Sequence, residues 1–98
     1  MKIKILKSAQ GDLLGGYRFY ERQKRGLGNY FLDSLNSDIE SLKIYAGIHS
    51  IHFGKYHRLL SKRFPFAVYY QIEENEIKVY AILDCRRDPA WIRKRFEH

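Results

Sequence analysis

The sequence predicts an α+β protein in which two antiparallel helices pack on one face of a small antiparallel sheet. Three observations predict this class. The first residues alternate apolar and charged side chains. The next segment has apolar residues at helical spacing on both sides of a Gly-Leu-Gly step. The second half contains runs rich in β-branched and aromatic residues. A chain of 98 residues in this order makes one domain, residues 1–98, with two layers.

The N-terminal segment is typical of a half-buried strand, since Ile3 and Ile5 share one face and Lys2 and Lys4 share the other. Asp12 is the expected N-cap of a first helix, because its carboxylate can accept hydrogen bonds from the free N–H groups of a first turn. The apolar stripe of this helix is expected at Leu13, Tyr17, Tyr20 and Leu27.

Glycines divide the helical region. Gly15 and Gly16 disfavour a helix interior and predict a frayed first turn. The Gly26-Leu27-Gly28 step is expected to end the helix, with Gly28 in the left-handed conformation that glycine adopts readily. A second helix then ends at Gly47 and has its apolar stripe at Phe31, Leu35, Ile39, Leu42 and Ala46. A connection this short makes the two helices antiparallel neighbours, so we expect the hairpin to cover one face of the sheet.

Three strands in an antiparallel meander are predicted to follow, over Tyr56–Lys62, Phe66–Glu73 and Glu76–Asp84. Glu74 and Asn75 form the expected tight turn between the last two strands, because asparagine tolerates a positive φ. The face of the sheet away from the helices would carry much of the basic and tyrosine content, and we expect it to be free.

The composition allows a small hydrophobic core and excludes several classes of protein. Hydrophobic residues make up 45% of the chain and aromatic residues 15%, yet no apolar run is long enough for a membrane span. The N-terminus lacks the continuous apolar region of a signal peptide. Cys85 is the single cysteine, which excludes an internal disulfide and fits a reducing environment. We therefore expect a cytoplasmic protein that does not associate with a membrane.

The charge distribution indicates an acidic partner. The formal net charge is +7, and no acidic residue lies between Glu40 and Glu73. Such a surface attracts nucleic acid, a ribosome, an acidic protein or an anionic membrane surface. A solvated basic surface without a partner is the alternative reading.

No ordinary catalytic or metal-binding constellation is present in the sequence. His49, His52 and His57 lie close together, but without nearby cysteines or carboxylates they are more typical of loop histidines than of metal ligands. Ser61 and Cys85 have no surrounding motif that marks a nucleophile. We expect neither a metal nor a cofactor.

The stretch from Asp84 to Trp91 is the most distinctive in the chain. Arg86 and Arg87 follow a predicted strand, and an arginine pair either grips an acidic partner or ties the tail to the sheet by a salt bridge. Trp91 is interpreted as a packing anchor. Elsewhere, Tyr69 and Tyr80 on adjacent strands are expected to form a cross-strand aromatic pair in preference to a base-stacking surface.

Three motifs together resemble the RelE/ParE superfamily of type II toxin–antitoxin toxins, and most of all its ParE-like, plasmid stabilization branch. They are YERQ–x2–GLG–x2–FLDSL, then RFPFAVYYQIE, then VYAILDCRRDPAWIRKR, and the similarity runs over nearly the whole chain. The resemblance implies a strand, a helix pair and an antiparallel sheet. It also implies a cognate antitoxin that wraps the toxin and neutralises it.

Two departures separate the chain from the ribosome-dependent ribonucleases of that superfamily. Those enzymes carry an arginine at the position that aligns with Ala67 and a C-terminal tyrosine where this chain has Ile92 or Arg93. Of their catalytic set, the arginine matching Arg87 is retained, with loose substitutes at Arg58, Lys62 and Arg63. RNA cleavage without a metal requires one group that activates the 2′-hydroxyl and another that protonates the leaving oxygen. The sequence does not plainly supply both.

The resemblance therefore favours a toxin that inhibits DNA gyrase by binding it. Its expected target-binding residues are Arg86, Arg87, Trp91, Arg93 and Lys94. The second hypothesis is an mRNA endonuclease acting on the ribosome, with catalytic candidates Arg58, Arg63 and Arg87. The third is a degenerate toxin that binds its antitoxin and nothing else.

Overall fold

A computed structural model describes residues 1–97 of the chain. Its elements are β1 (Lys2–Ile5), α1 (Lys7–Gln23), α2 (Leu27–Glu40), α3 (Leu42–Tyr45), β2 (Ile51–His52), β3 (Tyr56–Leu60), β4 (Phe66–Glu73), β5 (Glu76–Asp84) and α4 (Pro89–Lys94). The strands form one sheet in the order β1-β5-β4-β3-β2. The predicted α+β class is confirmed. Within residues 1–97, no helix combines the length and the apolar character needed to cross a bilayer.

The sheet differs from the prediction in its edges. β3, β4 and β5 pair antiparallel in sequence order, but β1 lies beside β5 and runs parallel to it. β2 adds a second edge that the sequence analysis assigned to a loop. β3 ends at Leu60, before the predicted Lys62, because the chain turns there and the Ser61 N–H donates to the Phe66 carbonyl at 2.8 Å. The sheet is therefore mixed and has five strands.

The two central strands match the prediction at both ends. β4 and β5 have the predicted bounds, and Glu74 and Asn75 between them have φ values of 49° and 64°. Both positive values are typical of the tight turns whose twist matches that of a hairpin. Runs rich in β-branched and aromatic residues, with a suitable turn residue between them, were sufficient to predict this hairpin.

The first helix begins earlier than predicted. Leu6 occupies the N-cap position, and Asp12 lies inside α1, so the N-cap prediction for Asp12 is wrong. Gly15 and Gly16 are helical, so no fraying is observed at these two residues. A Cβ atom at Gly16 would lie 2.5 Å from the Phe31 ring, which shows that this glycine lets the two long helices approach closely.

The helix hairpin is present, but its glycines have other roles than predicted. Gly26 has the left-handed conformation, with φ of 89°, whereas Gly28 is helical and lies within α2. A Cβ atom at Gly28 would lie 2.8 Å from the Tyr17 carbonyl oxygen, so this glycine is needed for close packing and not for its φ. The Glu21 carboxylate accepts hydrogen bonds from the N–H groups of Gly26 and Gly28 at 3.1 and 3.0 Å, which caps the start of α2.

Each face of the sheet has its own buried cluster. The face toward α1 and α2 is mostly aliphatic, and its core includes Leu13, Phe31, Leu35, Ile39, Val68, Ile77 and Val79. The opposite face, here called the second face, buries Tyr56, Ala67, Tyr69, Ala81 and Leu83. Trp91, Ile92 and Phe96 from the C-terminal segment pack on this second cluster. The expectation that the second face is free is therefore wrong for its centre.

Candidate functional site

The C-terminal segment, residues 85–97, leaves the end of β5 and folds back over the second face. Asp88 is the N-cap of α4, and its carboxylate accepts a hydrogen bond from the Ala90 N–H at 3.0 Å. Pro89 occupies a first-turn position, where its missing N–H costs nothing. The Asp-Pro pair thus starts a helix that the sequence analysis did not predict, and this helix brings the tail back to the sheet.

An ion pair between Asp12 and Arg95 holds the tail in place. The guanidinium donates to both oxygens of the Asp12 carboxylate, each at 2.9 Å, and the side chains are 14% and 27% exposed for Asp12 and Arg95 respectively. The same carboxylate accepts the Ile82 N–H at 3.0 Å. Bidentate contact with a guanidinium is among the stronger polar interactions in proteins. Asp12 therefore joins α1, β5 and the tail.

Phe96 lies among four aromatic rings on the second face. Its ring centroid is 4.4 Å from that of Phe53, in a stacked arrangement, and 4.8, 4.7 and 5.7 Å from those of Tyr56, Tyr69 and Tyr80. Phe53 has a φ of 55°, an uncommon conformation for a bulky residue, and its stacking on Phe96 helps to offset that strain. The tail is thus fixed by a ring cluster as well as by an ion pair.

The predicted direct pairing of Tyr69 with Tyr80 is wrong in register. A β-bulge shifts the β4–β5 pairing, so that Tyr69 lies opposite Ala81. Both tyrosine rings contact Phe96, and the Tyr80 hydroxyl donates to the Arg95 carbonyl at 3.2 Å. Tyr69 and Tyr80 are therefore linked to each other by their contacts with the tail that covers them.

The two adjacent arginines of the tail have different surroundings. Arg86 donates to the Asp84 carboxylate at 2.7 and 3.0 Å and reaches the Tyr20 hydroxyl at 3.5 Å. These hydrogen bonds lower the pKa of Asp84, and the same carboxylate raises the pKa of Arg86. The guanidinium carbon of Arg87 instead lies 3.8 Å from the centroid of the Trp91 ring, a cation–π contact. Arg87 therefore keeps its charge at the surface.

The remaining predicted binding residues lie on α4. Arg93 and Lys94 are exposed in the last turn of the helix, where positive charge also complements the helix dipole. Trp91 is half-buried and packs on the second-face cluster, as the packing-anchor interpretation expected. The predicted target-binding residues all lie in one short segment, in which Arg86 is exposed but paired with Asp84, whereas Arg87, Arg93 and Lys94 form no ion pair within residues 1–97.

The three ribonuclease candidates each lie against a different ring. Arg58 lies opposite Tyr69 in the sheet, Arg63 lies over the Tyr30 ring at 5.9 Å, and Arg87 lies over Trp91. Burial raises the pKa of Tyr69, against a smaller effect of the hydrogen bond from Arg58, and burial also raises the pKa of the Cys85 thiol. A raised pKa keeps the phenol and the thiol protonated, which does not suit either group for the removal of a proton at neutral pH.

The histidines belong to a hydrogen-bond network between α3 and the sheet. The Gly47 N–H donates to the Tyr70 hydroxyl oxygen at 3.0 Å, and the same hydroxyl is hydrogen-bonded to Nδ1 of His49. His57 donates from Nδ1 to the His49 carbonyl at 2.8 Å. Burial lowers the pKa of His49, and the neighbouring His57 lowers it further. Across residues 1–97, no three His, Cys, Asp or Glu side chains are grouped to hold a metal ion.

Sequence reasoning missed the residues that hold the tail: Asp12, Phe53, Arg95 and Phe96. A signal was available for one of them. Once α1 is extended to Lys7, Asp12 lies next to the buried residue Leu13 and one turn before the buried Gly16, where a solvated carboxylate is not expected. The other three contact residues far away in the sequence, and no local pattern reveals such contacts.

Comparison with known proteins identifies the fold. No protein-family model and no curated protein matches the chain. Among solved structures, the chain is similar to one described as "Chromosomal ParDE TA system from P. aeruginosa", with a TM-score of 0.77 and 19% sequence identity. The match covers 84% of this chain and 92% of the other. The chain therefore shares its fold with a protein of a ParDE toxin–antitoxin system.

Proposed function

We propose that this protein is the toxin of a bacterial type II toxin–antitoxin pair of the plasmid stabilization kind, and that it inhibits DNA gyrase by binding it in the cytoplasm. The observation that carries the proposal is the shared fold with a chain of a ParDE system over most of both chains. The sequence motifs that resemble ParE-like toxins support it independently. The net charge of +7 supports an acidic partner.

A mechanism by binding is favoured over a mechanism by chemistry. Arg87, Trp91 and Arg93 are residue types that dominate the energetics of protein interfaces, and Arg87 and Arg93 are exposed. In the same part of the sheet, the Cys85 thiol and the Tyr69 phenol both have a raised pKa, which disfavours removal of a proton by either group at neutral pH. A surface of fixed positive charge around an aromatic anchor supports recognition of an acidic protein.

The deciding experiment measures DNA supercoiling by purified gyrase in the presence of the purified protein. Arg87→Ala and Arg93→Ala should each weaken inhibition about 5- to 150-fold, as expected for loss of about 1–3 kcal/mol at an interface arginine. Arg25→Ala, in the exposed turn between α1 and α2, is the matched control and should inhibit like the wild type.

A parallel assay with translating ribosomes and a reporter mRNA tests the enzyme alternative. Arg58 is the specific reason to include it, because its buried Nε has no hydrogen-bond partner within the described residues, and such an unsatisfied polar atom calls for an explanation. Codon-dependent cleavage that falls by orders of magnitude in Arg58→Ala or Arg87→Ala, without any effect on gyrase, would overturn the proposal. Inactivity in both assays with a bound antitoxin would identify a degenerate toxin.

The antitoxin partner is tested by co-expression with the small protein encoded beside this chain. An acidic antitoxin should co-purify with it, and the melting temperature of the complex should exceed that of the free chain, because a ligand that binds the folded state alone stabilises it by mass action. A chain that purifies alone in the presence of its neighbour would contradict this part of the proposal.

A further inference from the structure

We propose that the groove between α1, β5 and α4 is the part of the protein that receives the target, and that its occupant is an acidic segment of gyrase carrying a bulky apolar side chain between carboxylates. This inference rests on the proposed function. It adds the position of the binding site and the chemical character of the segment that binds there. The groove has a volume of about 470 Å³.

The floor and walls of the groove are largely apolar. Ile82 and Leu83 of β5 lie beneath it, and Phe19 of α1, which is 48% exposed, faces Trp91 of the tail across it. Exposed aromatic side chains around a concave apolar surface are typical of an interface core. Gly11, Gly15 and Gly16 of α1 also line the groove and add no side chain to it.

Both acidic groups of the groove are already neutralised within the molecule. Asp12 is paired with Arg95, and Asp84 is paired with Arg86. Arg22 and Arg87 also line the groove, and neither forms an ion pair within residues 1–97. The groove therefore presents two uncompensated positive charges beside an apolar floor. The complementary ligand is a segment that carries carboxylates next to an apolar side chain.

The two glycines of α1 leave the groove open. A Cβ atom at Gly11 or at Gly15 would meet nothing within 4 Å, unlike the crowded positions Gly16 and Gly28. The fold of this chain therefore gives no packing reason for glycine at these two positions, although glycine disfavours a helix interior. Without side chains there, the backbone of a partner can approach α1 closely and still reach the arginines and the aromatic rings of the groove.

Other occupants fit less well. A second copy of the chain, docked symmetrically by this face, would bring Arg22 and Arg87 toward the same cations of its partner. A nucleic acid would pair its phosphates with the arginines but would leave the apolar floor without a matching contact. An acidic protein segment satisfies both features.

The first test fills the groove. Gly15→Leu adds a side chain in open space on α1, so the variant should fold and melt at or above the wild-type temperature. We expect it to bind purified gyrase at least tenfold more weakly in a calorimetric titration and to lose inhibition of supercoiling. Asn29→Leu, which adds the same side chain at an exposed position of α2, is the matched control and should bind within twofold of the wild type.

The second test reverses a charge. Arg22→Glu should weaken binding at least tenfold, and the loss should shrink at high salt, whereas Arg25→Glu in the exposed turn should stay within twofold to threefold.

If the wild type binds gyrase and both Gly15→Leu and Arg22→Glu bind equally well, the groove is not the site and the proposed function stands. If the wild type does not bind gyrase, the proposed function fails and this inference fails with it. A groove variant that keeps gyrase binding but loses affinity for a fluorescent RNA or DNA oligonucleotide would assign the groove to nucleic acid and also overturn the proposal.

Discussion

The two faces of the sheet are covered in different ways. The first face lies under α1 and α2, helices of 17 and 14 residues, and its core is mainly aliphatic. The second face lies under the six-residue α4 and the residues after it, and its contacts are aromatic rings and one bidentate ion pair. Long helices cover a face by burying apolar area, which is not directional. A short segment must rely on a few directional contacts.

The tail illustrates this difference. No residue of α4 is fully buried, so apolar burial along the helix cannot hold it firmly. The contacts that hold it come from Arg95 and Phe96, just beyond the helix. The second face should therefore open locally at a lower free energy than the first face unfolds. The following predictions test this comparison, from the largest expected effect to the smallest.

Removal of a core ring should affect the two faces unequally. Phe31→Ala, at a fully buried position between the helices, should lower the free energy of unfolding by about 3–5 kcal/mol. Phe96→Ala, at a half-buried position, should lower it by about 1–2 kcal/mol and should mainly speed hydrogen exchange in α4. Denaturant unfolding and amide exchange measure the two effects. Equal losses for the two variants would contradict the comparison.

Loss of the ion pair should release the tail. Asp12→Ala leaves the Arg95 charge and the Ile82 N–H without their partner and should cost about 2–3 kcal/mol in chemical denaturation. Glu73→Ala is the control, because the Lys78–Glu73 ion pair is exposed and its loss should cost less than about 1 kcal/mol. Similar losses in both variants would show that the Asp12 contact does not hold the tail.

The glycines of the hairpin should respond according to their surroundings. Gly28→Ala places a methyl group against the Tyr17 carbonyl and should cost about 1–3 kcal/mol, whereas Gly26→Ala has open space and should cost about 1 kcal/mol for its left-handed conformation. Thermal unfolding measures both. If Gly26→Ala were the more damaging substitution, the close approach of the helices at Gly28 would not limit stability.

Acidification should weaken the connection between α3 and the sheet. The folded state holds His49 neutral and lowers its pKa below the ordinary 6.5, chiefly through burial and then through His57. The unfolded chain therefore binds more protons, so this contribution to stability is present above about pH 6.5 and is lost as the pH falls below that value. His49→Asn, which keeps an acceptor for the Tyr70 hydroxyl but does not titrate, should show a flatter decline of melting temperature between pH 7 and pH 5. Parallel declines would exclude His49 as the cause.

The local sequence pattern was sufficient to predict the elements that contact residues nearby in the sequence. The β4–β5 hairpin could be predicted because β-branched and aromatic composition and turn residues are local signals. The second helix was predicted in type but not in length, since it was expected to continue to Gly47 whereas α2 ends at Glu40 and a separate α3 spans Leu42–Tyr45. The start of α1 was predicted too late, since Asp12 suggested a cap, and Gly15 and Gly16 a frayed turn, where the helix in fact continues from Lys7. The direction of β1 could not be predicted, because a strand presents the same alternation to a parallel and to an antiparallel neighbour.

The target-binding role of Arg86, Arg87 and Trp91 stays a prediction. The sequence drew attention to these residues, and the structure shows that Arg86 pairs with Asp84 whereas Arg87 lies over the Trp91 ring. It did not reveal the groove, because two of its walls come from opposite ends of the chain. The contact between Asp12 and Arg95 spans 83 positions, and no spacing rule reports a contact at that range.

The parallel pairing of β1 with β5 also determines when this protein can fold during its synthesis. Ile3 is made well before its register partner, Ile77. A nascent chain that has not yet reached β5 leaves β1 without a neighbour, and contacts between distant residues form slowly because a long loop must close first. A translation product that stops early therefore lacks both the sheet edge and the tail. The complete sheet, with any activity that depends on it, can therefore form only after β5 has been made.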